Sequence, residues 1–131
     1  MNEKKQFILS LVFPGFFLFL LWFFKFIEFG LDTNLAYLGI YPLKLKGLIG
    51  IITAPLIHAD LNHLFNNSLP VFFLSLALFY FYREVSYQVF FLSYLSTGVL
   101  VWIVGREAYH IGASGIIYSL AAFLFVSGVL R

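Results

Sequence analysis

Charged residues are sparse along this chain, and the gaps between them mark its elements. Nineteen uncharged residues, Gln6 to Phe24, lie between Lys5 and Lys25. Another nineteen, Leu64 to Tyr82, precede Arg83, twenty-one separate Glu84 from Arg106, and twenty-three separate Glu107 from Arg131. A bilayer core of about 30 Å takes roughly 20 residues of helix at about 1.5 Å each. The pattern predicts an all-α polytopic membrane protein with four transmembrane helices, the first ending at Lys25-Phe-Ile-Glu28. A fifth apolar run, Gly47 to Ala59, has thirteen residues and is too short to span. With Leu31 to Lys46 it makes a connection of about thirty residues, rich in Gly, Pro and Tyr. This connection is expected to dip into the membrane margin, and connections of that length tend to carry function.

Composition agrees with the pattern. Hydrophobic residues make up 62% of the chain and charged ones 11%, against about 45–50% and about 25% in a soluble domain. That excludes a water-soluble domain and a disordered tail, and it makes the lipid bilayer a partner. The absence of cysteine excludes a disulfide framework, a thiolate metal site and a cysteine nucleophile. A net charge of +2 without a basic cluster leaves no case for nucleic acid. The 131 residues allow one domain, residues 1–131.

Lys4 and Lys5 ahead of an apolar run imitate a signal peptide. The run is too long, however, and no small-residue cleavage site follows it, so it is expected to stay as an anchor helix. Counting basic residues gives four on each side and no orientation. Pro14 and Pro70 are expected to kink their helices, and Trp22 and Trp102 to anchor at the interfaces.

Polar residues that enter hydrocarbon mark functional positions, and two clusters do so. In the first, His58-Ala-Asp60-Leu-Asn62-His63-Leu-Phe-Asn66-Asn67, Asp60 is placed as the N-cap of the second helix. His63 and Asn67 then share one helix face, offering two hydrogen-bond groups at the edge of a dry region. Fixed donors of this kind stabilise developing negative charge. The same pair also fits plain hydrogen bonding to a neighbouring helix. His58, Asp60, His63 and His110 have the donor types for zinc. The five-residue spacing of His58 and His63 would turn the rings apart on a continuous helix, so no metal is expected.

The second cluster is His110-Ile-Gly112-Ala113-Ser114-Gly115-Ile-Ile-Tyr118, opening the fourth span. Gly112 and Gly115 permit tight turning and close approach. A helix beginning near Ser114 would direct its unpaired N–H groups at whatever approaches the hydroxyl. A nucleophile beside free N–H donors is what acyl transfer needs. Gly115, Ser119 and Ala122 equally form a small-residue stripe suited to helix packing, and both readings can hold together. His110 lies on the loop side, out of attack geometry, so the base for such a serine is not visible.

Taken together these features resemble the rhomboid family of intramembrane serine proteases. The resemblance rests on His58-x4-His63-x3-Asn67 at the second helix, Gly112-Ala-Ser114-Gly115 at the fourth, Tyr118 one turn later, and the long first connection. It implies that Ser114 is the nucleophile and that His63, Asn67 and the Ser114 N–H form the oxyanion hole. His58 would support the loop and the hydration of the site, and Tyr118 would pack against the catalytic histidine. The partners would be transmembrane segments of substrate proteins, with no cofactor. The chain would sit in a bacterial inner membrane with a cytoplasmic N-terminus and an active site open to the opposite face. The family core has six helices with its base histidine on the sixth. The expectation is therefore an incomplete copy, cut after helix four and lacking that base. The alternative is a non-catalytic rhomboid-like protein that binds client transmembrane helices. A third reading, part of a small transporter, would put His63 and Asn67 on a solute path.

Overall fold

The computed structural model describes all residues 1–131, and its long elements are all helices. Its helices are α1 (Glu3–Leu31), a single turn α2 (Gly50–Thr53), α3 (Leu61–Phe81), α4 (Ser86–Val104) and α5 (Ser114–Val129). Three of them, α1, α3 and α4, are long and apolar enough to cross a membrane.

The fourth expected span is a shorter helix. Its 16 residues reach about 24 Å, less than the hydrocarbon core of about 30 Å. Residues 108–113 of the uncharged run lie ahead of the helix, and there Ile40 and His110 pair as an antiparallel bridge. Gly112 then turns the chain at φ +102°. Helix α5 therefore starts late, with Ser114 as its first residue.

A second difference concerns the end of α1. Lys25 and Glu28 were expected to close the span, yet the helix runs on to Leu31 with both buried. They form an ion pair, Nζ to Oε2 at 2.9 Å. Neighbouring backbone groups satisfy the rest of both charges, which lets them stay inside.

The core is one cluster shared by four helices, including Phe17 and Leu21 of α1, Leu64 and Leu78 of α3, Phe90 of α4 and Leu120 of α5. In a bilayer such packing is held by dispersion and interhelical hydrogen bonds more than by exclusion of water. The bonds are present: Ser10 Oγ donates to the Phe79 carbonyl at 3.2 Å. Trp22 Nε1 donates to Ser68 Oγ at 3.1 Å, and Ser119 Oγ to Ser93 Oγ at 2.9 Å. The Gly115 stripe does pack: a Cβ there would lie 3.3 Å from Thr97 on α4.

The connection from Asp32 to Asp60 folds against α4 through short helical turns. The hydroxyl of Tyr94 donates to the Ile52 carbonyl, and Trp102 Nε1 to the Lys44 carbonyl at 3.0 Å. Trp102 thus ties down this connection. Gly50 lies so close to Gly39 that a Cβ would come within 2.2 Å of its carbonyl carbon. The connection, the start of α3 and the start of α5 all share one end of the bundle.

Candidate active site

Helix α3 starts where the sequence pattern places it. Asp60 is its N-cap, accepting the His63 N–H at 2.8 Å. This sets His63 in the first turn and Asn67 one turn later on the same face. Both turn onto Gly112. A Cβ built there would lie 2.7 Å from His63 Nε2 and 3.4 Å from Asn67 Nδ2. Only a glycine fits between that face and the turn leading to Ser114.

The protonation of the two side chains follows from their other partners. Ala59 N–H donates to His63 Nδ1 at 3.4 Å, so a neutral His63 carries its proton on Nε2, the nitrogen facing Gly112. Asn67 Nδ2 lies 3.0 Å from His58 Nε2. The amide nitrogen has only protons to offer, so this His58 nitrogen accepts, and the second Asn67 N–H stays free. His58 must be neutral for this. Burial, reinforced by the charge of His63, pushes its pKa down from 6.5 to about 4. Its Nδ1 is buried without a hydrogen-bond partner.

His58 and His63 were expected to diverge. Their ring centroids are instead 4.9 Å apart, because residues 58–60 are not helical and the backbone bends before α3. His110 lines the cleft beside Ser114, with its Nε2 turned to donate to the Arg106 carbonyl at 2.9 Å.

Ser114 is the first residue of α5, and Ala113 before it offers no side-chain cap. The Ile117 N–H bonds to the Ala113 carbonyl at 3.1 Å. The N–H groups of Ser114, Gly115 and Ile116 precede that bond and are the unpaired donors of a helix start. The turn ahead of Ser114 is held twice from the connection. Gly112 N–H donates to the Ala54 carbonyl at 2.9 Å, and Ile40 and His110 exchange both backbone bonds at 2.9 and 2.8 Å. A cleft of about 200 Å³ opens beside Ser114, lined also by Gly112, Gly115, Tyr118 and Thr97. Tyr118 is 77% exposed.

The structure therefore brings His58, His63, Asn67 and Gly112 together, with Ser114 following directly. None of the three histidines hydrogen-bonds to Ser114 Oγ: the bonds they make join His58 Nε2 to Asn67, His63 Nδ1 to Ala59 and His110 Nε2 to Arg106. Lys25 is the residue near this site that sequence reasoning missed. Its ammonium holds the His58 and Ala59 carbonyls at 2.8 and 3.2 Å, and nothing local in the sequence pairs positions more than thirty residues apart.

The family model for the Rhomboid domain matches residues 46–131. An uncharacterized protein of Mycobacterium bovis is 38% identical over 109 residues, covering 76% of this chain and 42% of its own length. An uncharacterized protein of Mycobacterium tuberculosis gives the same values. One of Mycobacterium leprae is 32% identical over 105 residues, covering 76% of this chain and 40% of its own. The chain thus spans about two-fifths of the length of the curated relatives it matches. No solved structure matches it.

Proposed function

The chain belongs to the rhomboid family, and from that premise we propose that it carries the nucleophile and oxyanion groups of an intramembrane serine endopeptidase. The substrates are membrane proteins cut in or near their transmembrane segments. Ser114 Oγ attacks the scissile carbonyl and gives up its proton to a base. The acyl-enzyme forms as the amine leaves with a proton, and water then releases the acid. Negative charge on the carbonyl oxygen is met by His63 Nε2–H, the free Asn67 N–H and the Ser114 backbone N–H. Gly112 allows their close approach. Gly115 seats α5 against Thr97, and Tyr118 flanks the cleft. His58 holds Asn67 and supports the loop. The observation that carries this reading is the convergence of His63 Nε2 and Asn67 Nδ2 on Gly112, two residues before a serine that opens a helix. A fixed set of donors around one point is the arrangement that lowers an acyl-transfer barrier.

The base comes from outside residues 1–131 in this proposal, because none of His58, His63 and His110 hydrogen-bonds to the Ser114 hydroxyl. That same observation favours a second reading, a non-catalytic rhomboid-like protein that binds client transmembrane helices. The proposed setting is a bacterial inner membrane, in keeping with the mycobacterial relatives. The N-terminus lies in the cytoplasm, and the end bearing Ser114 faces the other side.

A fluorophosphonate probe separates the two readings. On the full-length protein, the protease reading predicts a covalent adduct on Ser114 that Ser114→Ala abolishes. A full-length protein that stays unlabelled at Ser114 supports the non-catalytic reading.

A further inference from the structure

We propose that Lys25 is a positioning residue for the oxyanion groups, acting through the backbone of residues 58 and 59. This rests on the reading of His63 and Asn67 given above. Lys25 is 7% exposed although it lies near the end of a helix, where lysines ordinarily extend their heads to water. Its three N–H bonds have three acceptors: Glu28 Oε2 at 2.9 Å, the His58 carbonyl at 2.8 Å and the Ala59 carbonyl at 3.2 Å. Glu28 is engaged in turn, its Oε1 accepting the Leu35 N–H at 2.8 Å.

The two gripped residues are the ones that orient the site. The His58 ring meets Asn67 Nδ2, and the Ala59 N–H meets His63 Nδ1. One buried ammonium thus fixes the short stretch of backbone on which both proposed oxyanion donors depend. The pair lies before residue 46, where the family match begins. Membership of the family therefore does not assign it a role.

Charge supplies an independent readout. The charges acting on His58 are Lys25 and Glu28 from α1 and His63 from α3. Lys25 and His63 lower its proton affinity, and Glu28 raises it. A protonated His58 cannot accept from Asn67. Removing Lys25 therefore moves the acid limb of activity to higher pH, and removing Glu28 moves it lower. A loss of packing alone would not give shifts of opposite sign.

The test is turnover of a transmembrane substrate by the full-length protein in liposomes, across pH, with Ser114→Ala alongside. Lys25→Met is expected to lower kcat by about ten- to a hundredfold with KM nearly unchanged, and Lys25→Arg to restore most of it. Lys25→Met/Glu28→Gln leaves no unpaired buried charge and guards against misfolding. It should show the same kcat loss. A folded double variant with wild-type kcat overturns the proposal, as does a loss that falls equally on kcat and KM with no shift of the acid limb. Turnover that survives Ser114→Ala overturns the underlying reading and this inference with it.

Discussion

Gly112→Ala tests the geometry of the site at one atom. The residue sits at φ +102°, a conformation that L side chains rarely adopt, and forcing it costs about 1–3 kcal/mol. The new methyl would also lie 2.7 Å from His63 Nε2 and 2.8 Å from its Cε1. The ring would have to retreat by roughly 1 Å to reach ordinary van der Waals separation. It is not free to do so, because Nδ1 is held by the Ala59 N–H and the ring packs against that of His58 with centroids 4.9 Å apart. Overpacking of this kind adds about 1–3 kcal/mol. The expected loss is about 2–6 kcal/mol, a large share of a typical total of about 5–15. A retreat of that size would also slow catalysis by about a hundredfold. The assay is unfolding of the full-length protein by SDS in mixed micelles, followed by tryptophan fluorescence, with turnover measured in parallel. Gly128→Ala is the control, since its Cβ would meet open space. That change should be neutral or stabilise by up to about 1 kcal/mol. A Gly112→Ala protein as stable and as active as the Gly128→Ala control would refute the placement of His63 against this turn.

Asn67→Ala removes one donor and should lower kcat by about 10²–10³-fold with little change in substrate binding, measured as kcat and KM on the same substrate. Stability should also depend on pH through His58. The unfolded chain takes up a proton at this residue below pH 6.5, whereas the folded one does so only below about 4. Stability is therefore lost as pH falls through that window, by about 1.4 kcal/mol per pH unit, or about 3 kcal/mol in all. SDS titrations between pH 7 and pH 4 check this, and His58→Gln should remove that share of the slope.

Much of this was legible in the sequence because it is local. Charge spacing located α1, α3 and α4, and the Asp60 cap located the start of α3. The glycines before Ser114 marked a helix start, which the structure places at Ser114 itself. What was not legible depends on partners distant in sequence. Lys25 and Glu28 look like the solvated end of a span until the His58, Ala59 and Leu35 backbone is brought to them. An uncharged run does not reveal that Ile40 claims His110 for a bridge, which leaves residues 108–113 of that run outside α5. The meeting of His58 with His63 and Asn67 was hidden for a similar reason. The helical spacing rule fails where the backbone bends at residues 58–60.

Ser114 is proposed to cut peptide bonds in or near the transmembrane segments of other membrane proteins. The most direct measurement is cleavage of a reconstituted transmembrane substrate by the full-length protein and by its Ser114→Ala variant, with products identified by mass spectrometry. The expected result is a cut in or near the transmembrane segment that disappears with the serine. Equal cleavage by both proteins would contradict it.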